Sequence, residues 1–391
     1  MAGHRVVIIG AGYAGVLAAN RLAANRALAA LVAVQIINPR PDFVERIRLH
    51  QVATGTRESA AVPLASLLHP KVALVVGTAA LIDPVEQTIH FADGREPLSY
   101  DTLLYAAGSA SAPSAGADYS LQDTESAGRL RAGLEGLATG AVVNVVGGGL
   151  TGIEAASEIA EKHPRLIVRL VSRGTVGADL SRGGQQALRS RLASLGVEIM
   201  DRTEVEHADG RHLRTSSGAI LPGDCTVWTA GFSTPDLARN SGLPTDPQGR
   251  LLVDETLAVP GHPHIFGAGD GVLAAASIGA HLRMACAVAM PMGAHAADNI
   301  AANLQQRTPL ELSVGFILRC ISLGRSAGLV QAVHADDRPR PLALRGRMGA
   351  MVKEQVCRMT LSWIRKEARG GSYGWPKGPR PAAEPQLAEA R

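Results

Sequence analysis

Aromatic residues are scarce in this 391-residue chain, at 3%, and cysteine occurs only four times. Cys225, Cys286, Cys320 and Cys357 are scattered, with no CxxC pair and no metal-ligand spacing. That excludes a disulfide framework and a zinc site, and reads as buried thiols in a reducing cytosol. No run of 18 apolar residues exists, so no transmembrane helix is expected. The N-terminus runs straight into a glycine motif, which a cleaved signal peptide would destroy. Charge of one sign is also lacking over most of the chain. The net +4 arises from residues 338–391, where twelve Lys/Arg face four Asp/Glu; residues 1–337 sum to −4. Nucleic-acid binding by the whole chain is therefore a poor reading of the charge.

Glycine, alanine and aliphatic residues are plentiful. With 46% hydrophobic residues, the chain can bury a sizeable core, and its length suits two or three domains. Small residues also permit close approach of helix to strand.

Residues 5–10 read as a short apolar strand, and Gly10, Gly12 and Gly15 then give GxGxxG. Apolar positions at helical spacing follow, and 31–38 read as a second strand: a βαβ unit with glycines at its first turn. The order recurs. Residues 141–146 read as a strand, Gly147, Gly149 and Gly152 repeat the motif, 153–161 as a helix and 166–171 as a strand. One such motif is weak evidence, but two in the same context are not. Each half then reads as a hairpin and an apolar strand ending in Ala-Gly, at 103–108 and 226–231. Further on, 264–270 form a strand with a Gly-rich turn and 283–304 a helix. Residues 311–333 mix strand and turn. A helix is expected over 343–366, with Leu344, Met348, Met351, Val352, Val356, Met359 and Trp363 on one side. The last twenty residues read as disordered.

The fold class expected is α/β, with two Rossmann-like βαβ dinucleotide-binding domains, the second inserted in the first, and a small C-terminal α+β region. The boundaries are 1–115 and 241–310 for the first dinucleotide-binding domain, 116–240 for the second, 311–370 for the C-terminal region and 371–391 for the tail.

A pyrophosphate can be held by backbone N–H groups and the dipole of a helix N-terminus. Gly12 and Gly149 let the backbone approach it, and Gly15 and Gly152 let helix pack on strand. The position that contacts an adenosine ribose is normally acidic; here it is Asn38, which can bond the ribose without charge. The matching segment of the second site has no acid and offers Arg173. That arginine either meets a 2′-phosphate, favouring NADPH over NADH, or is a solvated surface residue. Glu154, on the first turn of the second helix, either points to where nicotinamide meets flavin or is a capping-type acid. Asp270 either takes a ribitol hydroxyl or is a turn aspartate.

Together these pieces resemble the two-dinucleotide-binding-domain flavoproteins, above all the type II NADH:quinone oxidoreductases and the apoptosis-inducing-factor-like reductases. The carriers are VVIIGAGYAG (6–15), HQVATG (50–55), LLYAAGS (103–109), VVGGGLTGIE (145–154), VWTAGF (227–232) and IFGAGD (265–270). The resemblance implies FAD at the first fingerprint and Asp270, with NADPH or NADH at the second. It carries over Gly10, Gly12, Ala14, Gly15, Asn38, Arg48, Gln51, Ala107, Gly108, Gly269, Asp270, Met284 and Ala285 to FAD. Gly147, Gly149, Leu150, Thr151, Gly152, Arg173 and Gly231 go to the nicotinamide nucleotide. Glu154 would sit at the nicotinamide–flavin contact. The helix starting near Arg283 would aim its N-terminus at the flavin. Lys353 resembles a lysine that some relatives bring to the flavin, and equally fits a solvated helix lysine. Glu154 and Lys353 are the candidate catalytic residues, and no metal is implied.

Two departures narrow the activity. No redox cysteine pair exists, which disfavours thiol or disulfide reduction. Quinone-reducing relatives carry glutamines on the helix beside the flavin, where this chain has RMACAVAMP (283–291). The expected activity is an FAD-dependent NAD(P)H oxidoreductase serving a small quinone-like or other organic acceptor. The alternatives are a tailoring flavoenzyme with a dedicated substrate, a reductase of a carrier protein docked by the basic C-terminus, and a non-catalytic NAD(P)H sensor. The expected location is cytoplasmic. The basic C-terminal helix could lie on a membrane, pack over the flavin or form a dimer contact; monomer and homodimer both fit.

Overall fold

The computed structural model describes residues 3–111 and 116–379. Its first sheet has six strands in the order Ala258–Val259, His262–Gly267, Thr102–Tyr105, His4–Ile9, Val32–Asn38 and Val72–Val76. All neighbours pair in parallel except the first two, which are antiparallel. The central strands are continuous apolar runs because both faces are covered; Val6, Val7, Ile8, Leu103 and Leu104 are fully buried. One face takes the helix Tyr13–Ala24, which lies against the helix Cys286–Leu304. Small residues make that crossing: a Cβ on Gly293 would fall 2.2 Å from the carbonyl oxygen of Ala14.

The strand His262–Gly267 joins this sheet only after the chain has built a second one. That sheet has five strands, Tyr119–Ser120, Cys225–Trp228, Val142–Val146, Ile167–Val171 and Glu198–Met200, all parallel. The helix Leu150–Lys162 packs on it. The architecture is therefore α/β, with two parallel sheets and the second inserted between strands of the first.

A third sheet, Leu318–Ser322, Gly328–Val333 and Pro339–Arg345, is antiparallel, and the helix Gly346–Ala368 packs against it and against Tyr13–Ala24. Two sequence expectations need correction here. Leu344 lies on a strand, not on the helix. The face that the helix turns inward is a mixed one. Met348 and Met351 are exposed, while Gly349, Cys357, Thr360, Ile364 and Glu367 are buried. Polar groups can occupy that buried face because distant segments satisfy them: Glu367 pairs with Arg21 at 2.9 Å, and Lys353 with Glu154 at 2.9 Å. Lastly, 371–379 are not disordered. Tyr373 is buried between Trp363 and Trp375, its N–H donates to Glu367, and Trp375 donates from Nε1 to the Ser313 carbonyl. The rest of that expected tail, 380–391, lies outside the described residues.

Candidate functional site

The first glycine turn is shaped by steric demand. Gly10 has φ +101°, and a Cβ there would meet the Ala106 carbonyl oxygen at 2.3 Å; one on Gly15 would meet the Gly10 oxygen at 1.9 Å. Gly12 differs. It caps Tyr13–Ala24 with no side-chain hydrogen bond, and a Cβ there meets nothing within 4 Å. An open space in front of a bare helix N-terminus is what a pyrophosphate needs. Around it stand Ala14 (buried), Gly108, whose Cβ would also meet nothing, Ala107 beside it, and Gly269 over Ala14. Asp270 accepts from the Ser109 hydroxyl at 3.0 Å, and burial raises its carboxyl above the usual range. Ala285, next to Met284, caps the helix Cys286–Leu304, again with no side-chain hydrogen bond. The chemistry of this set fits FAD: an open helix N-terminus at Gly12, and a half-buried acid that also accepts from the Ala285 backbone at the start of a second helix.

The second turn repeats the design. Gly147 and Gly152 are pressed against neighbouring atoms, while Gly149 caps Leu150–Lys162 unassisted and faces open space, with Leu150 and Thr151 opening the helix. Gly231 follows the strand Cys225–Trp228, in the left-handed region. Arg173 is 82% exposed, with Glu204 at 3.6 Å. These residues fit a nicotinamide dinucleotide.

Two predicted cofactor contacts turn out to be engaged within the protein. The Asn38 side-chain Oδ1 accepts from Ala11 N–H at 3.0 Å, and its Nδ2 donates to the Arg40 carbonyl at 2.7 Å. It ties down the glycine loop, which explains an amide where an acid could only accept. Arg48 is buried and bonds Glu45, Gln51 and, through both terminal nitrogens, Glu354 at 2.9 and 3.0 Å. It is a strut from the first domain to the C-terminal helix, and Gln51 is one of its acceptors.

The two candidate catalytic residues meet. Lys353 Nζ lies 2.9 Å from Glu154 Oε1, and the same oxygen accepts from Ser322 N–H at 2.9 Å. Burial alone would raise the Glu154 carboxyl, but the Lys353 ammonium, helped by the Ser322 N–H, outweighs it and holds it below its usual range. Burial works against the Lys353 ammonium too, and Glu154 more than compensates, so its pKa is raised. This lysine is not a solvated one.

Sequence reasoning missed what surrounds the pair. His50 Nδ1 lies 3.8 Å from Glu154, and His50 Nε2 lies 3.3 Å from Glu158, which is fully buried. The signal was present: Glu154 and Glu158 are four apart on one helix and so share a face. The cysteines are not scattered in space either. Cys286, Cys320 and Cys357 all lie within the influence of the Lys353 charge, and Cys286 also within that of Asp270. Both Cys286 and Cys320 are half-buried, and loss of hydration still pushes their thiols up to about 11, which favours the protonated form. Among the described residues no group of three or more His, Cys, Asp or Glu is arranged to hold a metal ion.

A family model described as pyridine nucleotide-disulphide oxidoreductase matches residues 4–297. An NADH dehydrogenase-like protein of Mycobacterium tuberculosis is 31% identical over 379 residues, spanning 90% of this chain and 92% of that one. A type II NADH:quinone oxidoreductase of the same organism is 30% identical over 314 residues, 68% of this chain and 66% of that one. Among solved structures, NDH2 of Plasmodium falciparum in complex with NADH superposes with a TM-score of 0.78 at 15% identity, covering 94% and 97% of the two chains.

Proposed function

The chain belongs to the pyridine nucleotide-disulphide oxidoreductase family, and from that premise we propose that it oxidises NADH or NADPH and delivers the electrons to a small quinone-like acceptor. It is a flavoprotein oxidoreductase whose cofactors are FAD and a nicotinamide dinucleotide. FAD, when bound, supplies the hydride acceptor and the link to the second substrate.

The observation that carries this reading is the meeting of the two cradles. The helix that starts at the second glycine turn contributes Glu154, and Glu154 pairs with Lys353, whose charge also reaches Cys286 at the start of the flavin-side helix. A nicotinamide held at one open helix N-terminus is thereby aimed at the group held at the other. Gly12 and Gly149 would give backbone N–H groups to the two pyrophosphates, and Asp270, with the Ser109 hydroxyl, would fix a sugar hydroxyl. The Glu154–Lys353 pair orients the reacting edge and keeps a positive charge close to it. Relatives named for quinone reduction support the acceptor class. At the adenosine end, Arg173 is free to swing onto a 2′-phosphate, and we read the site as favouring NADPH.

The test is anaerobic. NADH or NADPH should bleach the visible absorbance of the bound flavin, and a water-soluble quinone should restore it. A chain that binds flavin but is bleached by neither nucleotide overturns the reading; bleaching that no quinone reverses overturns the acceptor.

No helix among the described residues is long and apolar enough to cross a membrane. We read the exposed Leu342, Met348 and Met351, ringed by the exposed Arg340, Arg345 and Arg347, as a patch for peripheral contact with an anionic bilayer. Sedimentation with phosphatidylglycerol vesicles, weakened by Met348→Ser/Met351→Ser, would support it; equal recovery with and without vesicles would remove it.

A further inference from the structure

Reduction of a quinone by a reduced nicotinamide does not balance on hydride alone. The hydride carries two electrons and one proton, so NAD(P)H + H⁺ + quinone gives NAD(P)⁺ + quinol. The second proton must come from solvent, yet Glu154, nearest the reaction, is buried.

A line of side chains joins it to the surface. Glu154 Oε2 faces His50 Nδ1 at 3.8 Å, and His50 Nε2 faces Glu158 Oε2 at 3.3 Å. The other Glu158 oxygen accepts from the hydroxyl of Thr56, which is exposed, and from Thr54 at 3.4 Å. His50 Nε2 and Glu158 Oε2 are both buried, face one another at 3.3 Å, and neither makes a hydrogen bond to any group. We propose that Thr56, Glu158 and His50 form a proton relay that carries this proton from solvent to the Glu154–Lys353 pair.

An imidazole between two carboxylates is suited to that task. It accepts a proton on one nitrogen and releases the other from the opposite side, so charge crosses without the ring moving. Burial lowers the His50 pKa, against the pull of Glu154 and Glu158 and with the push of Lys353 and Arg325, so the ring rests neutral and ready to accept. Packing alone gives no reason for the arrangement. Buried charges are costly to desolvate, and apolar residues of the same volume hold a core at least as well. Arg325 stands 3.6 Å from Glu158 Oε2 at the outer end and balances its charge.

The relay rests on the quinone-like acceptor proposed above, and the experiment separates the two. Turnover is measured with a water-soluble quinone, which takes up a proton, and with ferricyanide, which takes only electrons. His50→Gln and Glu158→Gln keep the shape but cannot pass a proton. In either variant purified with its flavin, the ratio of quinone to ferricyanide turnover should fall at least tenfold, with a larger slowing in D₂O and a pH profile that turns down earlier on the alkaline side. An unchanged ratio and isotope effect in both variants overturns the relay. A wild-type enzyme that reduces ferricyanide but no quinone overturns the acceptor reading, and the relay falls with it. Should one variant not fold, the other decides.

Discussion

Lys353 and Glu154 form an ion pair inside the protein, and a double-substitution cycle measures what that pair does. Lys353→Met removes the ammonium and leaves Glu154 buried, with Ser322 N–H at 2.9 Å and His50 at 3.8 Å as its remaining partners. Breaking a buried pair from one side costs about 3–5 kcal/mol. Because those two partners persist, the loss should fall near the lower figure, about 3 kcal/mol. An unfolding entropy of about 2.1 cal/mol/K per residue gives about 0.8 kcal/mol/K for a chain of this length, so 3 kcal/mol lowers Tm by about 4 °C. Glu154→Gln leaves the ammonium with no counter-charge, only a neutral amide oxygen and the Cys320 carbonyl at 3.4 Å, and should cost a similar amount. The double variant has no stranded charge. Its loss should be roughly 2 °C, far from the sum of about 8 °C expected of independent sites. Scanning calorimetry at one scan rate with saturating FAD reads all four proteins. Additive losses, or singles that move Tm by less than about 1 °C, would refute the idea that these two charges are held together away from water.

Glu154→Gln should also slow anaerobic flavin reduction by NAD(P)H about tenfold or more, since the group orients the reacting edge; an unchanged rate makes it structural only. Arg173→Ala should raise KM for NADPH several-fold more than KM for NADH; equal changes identify a surface arginine. Burial pushes the Glu354 carboxyl up, but bonds to Arg48 and Arg358 hold it at about 2, below its ordinary 4.5. Its contribution is full above pH 4.5 and lost as pH falls toward 2. Tryptophan fluorescence from Trp363 should therefore report loosening of the C-terminal helix across that window, and Glu354→Gln should loosen it already at neutral pH. Deleting residues 371–391 should uncover Trp363 and Glu367 and lower Tm by several degrees; an unchanged Tm means the aromatic contacts of Tyr373 and Trp375 add nothing.

Much of the molecule was legible from local signals. The two glycine turns, their flanking strands and the positions of Gly12 and Gly149 follow from motif and periodicity, because helix–strand geometry is dictated within about thirty residues. Lys353 and Glu154 were named from a resemblance, but their contact joins segments about two hundred residues apart, which periodicity cannot express. Asn38 and Arg48 show a second thing that local signals leave unsaid. Each is the right kind of group for a ligand, and each is already engaged by its own protein: Asn38 by the glycine loop, Arg48 by Glu354. A donor's chemistry is read from its letter; whether it is free depends on the whole fold.

The C-terminal helix carries this furthest. Its apolar letters lie on one side without saying what covers them, and the structure packs a mixed face inward, built around Lys353, Cys357, Thr360 and Glu367. Hydrophobic burial would have favoured Met348 and Met351 inside, each by a few kcal/mol at most. The observed face prevails because Arg48, Arg21 and Glu154 each supply a partner for a polar group on the helix, at Glu354, Glu367 and Lys353. An apolar seam would have packed at least as well. The polar seam therefore calls for a reason other than stability. It brings the Lys353 charge to the place where the two cradles meet, and it leaves the methionines and arginines on the outer surface. Both consequences arise from one rotation of one helix. A variant in which Lys353, Glu354 and Glu367 and their partners Glu154, Arg48 and Arg21 were all replaced by apolar residues should consequently keep its fold and lose turnover, whereas a purely structural seam would keep both.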